Sequence, residues 1–222
     1  MATILLARHG ETDWNAERRW QGHTDRPLNE RGRTQARALA QRLDPTRLEA
    51  VYSSDLRRAR DTARAVAERQ GVPHRIDAAL REVDVGSWAG MTKEEARNRD
   101  PEGHARWLRG HPGWRDGESY EAMAERVVAA VRRIASEHPH RPVLVVAHGG
   151  PIRALHAAAL GLDVHAYRRL RPVEPNARLS AVCLDGGGRF TELCPAGSID
   201  EVIARDQRER AEAARRAPTP AG

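Results

Sequence analysis

Apolar residues in this chain come in short β-rich runs separated by longer stretches of helical period, an alternation that predicts an α/β fold. Residues 3–7 (TILLA), 49–53, 74–77 and 143–147 (VLVVA) read as strands, and two short runs within 178–194, flanking Gly186-Gly187-Gly188, read as a hairpin. Ala36, Leu39, Ala40 and Leu43 form the buried stripe of a helix near 29–43, capped by Asn29 and stopped by Pro45. Leu56, Ala59, Ala63 and Val66 do the same for a helix near 55–70, with Ser54 or Asp55 as the expected cap and Gly71 at its end. Tyr120, Met123, Val127, Val131 and Ile134 mark a longer helix near 119–136, and Pro151 suits the first turn of another near 151–160. Residues 92–118, broken by Pro101, Gly103, Gly110, Pro112 and Gly113, carry only short helices. No stretch repeats. The pattern predicts a three-layer α/β/α sandwich with a mostly parallel central sheet, one domain over residues 1–199. A charged helix and frayed tail are expected over 200–222.

The chemistry sits where the strands end. Residues 3–7 run into Arg8-His9-Gly10-Glu11-Thr12, residues 143–147 into His148-Gly149-Gly150-Pro151, and residues 49–53 into Ser54-Asp55-Leu56-Arg57-Arg58. Open α/β sheets bind ligands at the carboxyl edge of their strands. If these strands are parallel neighbours, two histidines and an arginine from the third turn converge on one crevice, with Arg8 beside them. Fixed cations and imidazoles suit a phosphoryl group: its oxygens need neutralising while a ring nitrogen attacks in line. Gly10 would let a bulky group approach the backbone. The competing reading is a pair of histidines in ordinary polar turns, and two matched strand–His–Gly turns argue against it. Spacing alone neither ranks the two histidines nor selects Arg58 over Arg57, Arg60 and Arg64.

Further motifs extend the pattern: Trp14-Asn15, Gln21-Gly22, residues 27–32 (PLNERG), residues 53–59 with Thr62-Ala63, residues 80–90 (LREVDVGSWAG), and Gly117-Glu118-Ser119. Together with Arg8-His9-Gly10-Glu11-Thr12 and Ala147-His148-Gly149-Gly150 they resemble the histidine phosphatase superfamily over residues 3 to 185, in the branch that includes the cofactor-dependent phosphoglycerate mutases. The resemblance implies a phosphohistidine intermediate on His9, with Arg8, Arg58 and His148 holding the phosphoryl oxygens. It makes Glu82, rather than its neighbour Asp84, the proton donor to the leaving alcohol and then the base toward water. Gly10, Glu11, Thr12, Asn15, Gln21, Gly22 and Gly149 are implied as phosphate or substrate contacts. No cofactor and no metal are called for. The segment between Glu82 and His148 is short, and Gly103, Gly110, Pro112, Gly113 and Gly117 give it the character of an open, mobile rim. The chain therefore resembles the broad-specificity and α-ribazole-type phosphatases more than the mutases. Hydrolysis of a small phosphorylated metabolite is expected, with a 2,3-bisphosphoglycerate-dependent phosphoglycerate mutase as the alternative.

Composition narrows the partners. A chain of 222 residues buries a full core as one domain. The net charge of +6 invites a nucleic-acid reading, but acidic residues are interspersed, Lys93 is the single lysine among 37 basic residues, and aromatics are 4%. No nucleic-acid partner is expected. Nor is a membrane partner, since no apolar run approaches the roughly 18 residues of a span. The stretch before Arg8 is too short for a signal-peptide core and has no basic leader, so a cytoplasmic location is expected, with Cys183 and Cys194 as thiols. A metallohydrolase built on His9, His148 and a carboxylate is disfavoured by cationic Arg8 and by the lack of a His-Glu-x-x-His motif. A non-catalytic phosphate binder would be expected to lack His9 or Glu82. Arg18, Arg19, Arg26, Arg109, His111 and Arg115 are the candidates for meeting an acidic leaving group. A homodimer is left open.

Overall fold

The computed structural model describes residues 2–192, so the expected tail helix, the boundary at 199 and Cys194 lie outside it. In chain order the elements are β1 (Ala2–Arg8), α1 (Asp13–Ala16), α2 (Glu30–Arg42), β2 (Val51–Ser53), α3 (Arg57–Gln70), β3 (His74–Ile76), α4 (Lys93–Arg99), α5 (Pro101–Leu108), α6 (Tyr120–Glu137), β4 (Val143–Ala147), α7 (Gly149–Ala159), α8 (Val164–Leu170), β5 (Leu179–Leu184) and β6 (Phe190–Glu192). Single 3₁₀ turns at Ala78–Leu80 and Gly86–Trp88 shape the segment between β3 and α4.

The strand period of two creates two cores. Ile4 and Leu6 of β1, with Val143, Val145 and Ala147 of β4, face Met123, Val127, Val131 and Ile134 of α6 and Ile152 and Leu155 of α7. Leu5, Ala7, Leu144 and Val146 face the other way, onto Leu39, Ala40 and Leu43 and onto Ala59, Ala63 and Val66 of α3. The result is the expected α/β/α sandwich. Strand order is β3-β2-β4-β1-β5-β6, with β3, β2, β4 and β1 mutually parallel and β5 and β6 antiparallel at one edge. The chain leaves β1 toward β2 but leaves β4 across to β5, so the β1–β4 boundary is a topological switch point, where open sheets bind ligands.

Several local expectations need correction. Neither Ser54 nor Asp55 caps α3: it begins at Arg57, and its cap, Leu56, makes no side-chain bond. Asp55 instead pairs with Arg81, and Ser54 Oγ accepts the Leu56 amide at 3.2 Å. Helix α7 starts two residues early because extended His148 serves as its cap and both following glycines join the first turn, ahead of Pro151. Two short helices escaped the apolar pattern. Helix α1 is a single turn closed by a Thr12–Asn15 capping box, and α8 is capped by Asp163 and buries Val164 and Tyr167. Among the described residues no helix is long and apolar enough to cross a membrane.

Candidate active site

Parallel pairing of β1 with β4 sets Arg8 opposite Ala147, so His9 and His148 leave adjacent strands at the same height. Their rings lie 5.1 Å apart between centroids, and both are buried. Helix α3, entered from the neighbouring β2, supplies Arg58, which is fully buried, whereas its rivals Arg57 and Arg64 are exposed. Arg58 Nε donates to His148 Nδ1 at 3.2 Å, and its two amino groups donate to the Gly22 and Thr24 carbonyls at 2.8 Å each. A guanidinium can only donate, so His148 Nδ1 carries no proton and Nε2 carries it. That Nε2–H is buried with no partner, as is Arg8 Nε.

His9 is held in the complementary state. Its Nδ1–H donates to the Gly10 carbonyl at 2.7 Å, leaving the lone pair on Nε2. Burial, then Arg58 and Arg8, push its pKa well below the ordinary histidine value. His148 is likewise pushed well down, by burial and by the same arginines together with His9. Both rings are therefore neutral at pH 7, and His148 presents an Nε2–H donor. Burial lowers Arg58 to about 10, which still leaves it charged.

Glu82 closes the group. Its Oε1 accepts the Gly150 amide of α7 at 2.9 Å and its own neighbour's amide, Val83, at 3.0 Å. The charges of both Arg8 and Arg58 feel it. Asp84 turns elsewhere, accepting the Gly86 amide and lying 3.9 Å from His23. Five side chains from four separate stretches of chain thus meet at the switch point: two neutral rings, the buried Arg58 and part-buried Arg8 guanidinium groups and one carboxylate. Sequence profiles of known families agree with this geometry, because the histidine phosphatase superfamily (branch 1) matches residues 4–194. The chain belongs to that superfamily.

Relatives of this histidine phosphatase include phosphoserine phosphatase 1 of Hydrogenobacter thermophilus, 36% identical over 75% of this chain and 80% of that one. Glucosyl-3-phosphoglycerate phosphatase of Mycolicibacterium vanbaalenii is 41% identical over 72% of this chain and 75% of its own. The solved structure of a mycobacterial glucosyl-3-phosphoglycerate phosphatase complexed with VO3 superposes with a TM-score of 0.80 at 34% identity, covering 89% of this chain and 100% of that one. A phosphoglycerate mutase-like protein of Arabidopsis thaliana and a probable phosphoglycerate mutase of Cronobacter sakazakii match as well. Family and relatives together make this protein a phosphoric monoester hydrolase.

Not every residue singled out in the sequence of this histidine phosphatase faces the crevice. Glu11 accepts from Asn29 and pairs with Arg31, which ties the β1 turn to the start of α2. Thr12 is fully buried in the capping box, and Asn15 completes that box while accepting from Asn176 at 3.3 Å. A Cβ on Gly10 would lie 2.5 Å from the Gly32 carbonyl oxygen, so this glycine allows close packing against α2. Gly22, at φ +50°, turns its carbonyl onto Arg58, and a Cβ there would strike Val85. Gln21 is buried with its Oε1 unpartnered. Gly149 begins α7, and a Cβ on it would meet Val173 at 2.9 Å.

The supporting bonds around the site were not legible in the sequence. Arg126 of α6 donates to the carbonyls of Ala79, Arg81 and Glu82 and pairs with Glu118, fixing the backbone that carries Glu82. Thr62 Oγ1 accepts the Gly10 amide at 3.0 Å and donates to the Arg58 carbonyl at 2.7 Å, linking both walls. The six arginine and histidine candidates for the leaving group are paired with other side chains or exposed. Arg19 pairs with Glu17 and Glu95, Arg115 with Glu102, Arg26 covers Trp14, and Arg18, Arg109 and His111 are exposed. The rim is also packed rather than open: a Cβ on Gly113 would strike Trp88 and one on Gly117 the Asp84 carbonyl. Trp88 and Trp114 meet Trp20 edge-on, with centroids 5.7 and 6.0 Å away, to hold this segment. Among the described residues no three His, Cys, Asp or Glu side chains are grouped to hold a metal ion.

Proposed function

We propose that this enzyme hydrolyses a small phosphate monoester in two displacements, through a phosphohistidine on His9. The observation that carries the reading is the pair of buried donors without partners, Arg8 Nε and His148 Nε2, beside a ring whose lone pair lies on Nε2. Buried donors call for an acceptor, and phosphoryl oxygens supply it.

In the first step the His9 Nε2 lone pair attacks phosphorus as the bond to the alcohol oxygen breaks. Arg8, Arg58 and the His148 Nε2–H hold the non-bridging oxygens, where the transition state places its charge. Glu82, entering protonated, gives its proton to the departing oxygen. In the second step Glu82 takes a proton from water as that oxygen bonds to phosphorus. The phosphorus–nitrogen bond breaks, neutral His9 is restored, and inorganic phosphate leaves. Dividing the reaction lowers each barrier. Hydrolysis, rather than transfer to a second alcohol, is supported by the phosphatase relatives; the packed rim glycines lend it nothing.

The test is brief exposure to a phosphorus-labelled ester, quenched in base, where phosphohistidine survives. Label is expected on His9, and His9→Ala should lose at least about a hundredfold in kcat/KM. Label on a serine, or an active His9→Ala enzyme, overturns the reading.

A further inference from the structure

Helix α7 carries a second functional row. Gly150 holds Glu82, and one turn further along the same face stands Arg153. Its amino group reaches the Arg171 carbonyl at 3.1 Å, but its Nε is buried and has no partner. Beside it Arg168 of α8 lies over the Tyr120 ring, 3.9 Å from the centroid, and donates to the Gly110 carbonyl at 2.8 Å. The acidic side chains around them are engaged elsewhere: Glu118 by Arg126, Glu121 by His165 and Glu174 by Arg178. The carboxylate whose charge reaches Arg153 is Glu82, and Arg8 and Arg168 both repel it. Burial holds the Tyr120 hydroxyl up at about 12, so it remains a proton donor throughout the neutral range.

Two part-buried guanidinium groups without a carboxylate of their own are costly unless a ligand brings one. Glu82 meets the departing oxygen, so groups beside it face the alcohol rather than the phosphoryl group. We infer that Arg153, with Arg168 and the Tyr120 hydroxyl, forms a subsite for a carboxylate carried by the leaving alcohol. A planar carboxylate matches the arginine fork. The substrate class is then a phosphate monoester of a hydroxy acid. The inference rests on the hydrolytic reading of the site.

The competing role for Arg153 is to position Glu82, and matched substrates separate the two. Phosphoserine and phosphoethanolamine differ only by a carboxylate, and 3-phosphoglycerate and glycerol 3-phosphate differ at the same group. The wild-type enzyme should favour the carboxylate member of each pair by at least about tenfold in kcat/KM. Arg153→Gln should bring that ratio close to one, chiefly through KM, and Arg153→Lys should restore part of it. Arg168→Gln should lower the ratio in the same sense and decides the matter if the Arg153 variants melt too low to assay. A wild-type enzyme indifferent to the carboxylate overturns the inference, as does a variant that loses the same factor on both members. If phenyl phosphate is hydrolysed without any carboxylate preference, this inference alone fails. If no ester is hydrolysed, the phosphatase reading fails first.

Discussion

At the scale of single residues, the site depends on which nitrogen holds a proton. The Gly10 carbonyl sets one tautomer for His9 and Arg58 sets the opposite one for His148, so one ring offers a lone pair and the other a donor. In the proposed mechanism Glu82 is the remaining proton carrier. Glu82→Gln should slow esters of poor alkoxide leaving groups by at least about a hundredfold while slowing aryl phosphates far less, measured as kcat/KM across a leaving-group series. Equal losses across the series would reopen Asp84. Arg8, His9, Arg58, Glu82 and His148 were legible because each stands in a motif at a strand end or in the loop that reaches it. Arg126 was not, nor were the roles of Thr62 and Gly150 within their motifs, because what matters in them is a bond to a partner far away in the chain. Arg126 on an exposed-looking helix position reads as surface charge until the 79–82 carbonyls are seen to converge on it.

Among the elements, the contact between the β1 turn and α2 governs how His9 is presented. Gly32 lies in the first turn of α2, and a Cβ on it would sit 2.0 Å from the Glu11 carbonyl oxygen. Helix propensity alone would make Gly32→Ala stabilising by about 1 kcal/mol. The backbone clash reverses the sign, and a net loss of roughly 2 kcal/mol is expected from urea unfolding, with kcat falling too because the turn must shift. The long elements were readable from their period. Helices α1 and α8 were not, because one is a single turn and the other is seven residues carrying two buried side chains, too few to set a period. The rim was misread for a different reason. Glycine marks mobility and close packing alike, and Trp88, whose ring fills the space beside Gly113, is distant in sequence.

For the whole molecule, holding two histidines neutral makes stability depend on pH. In the unfolded chain both rings take up protons near the ordinary value of about 6.5, and in the folded protein only well below it. The unfolded state therefore binds more protons in that interval. The stabilising effect is complete above about pH 6.5 and is lost as pH falls below it, by about 1.4 kcal/mol per pH unit for each ring. Part-buried His74, also lowered, acts in the same direction. Urea midpoints between about pH 7.5 and 5.5 should fall accordingly, and His148→Asn should flatten the slope. A midpoint that holds constant over that range would show the rings are charged when folded. The sheet order carries a consequence of another kind. Among the described residues β1 pairs with β4 and β5, which both lie far beyond it along the chain. During synthesis it waits without a neighbour while the helical layers of the first half emerge, so its pairing belongs to the slow, non-local part of folding. A growing chain that has not reached Val143 carries Arg8 and His9 on a strand with neither of its partners yet made.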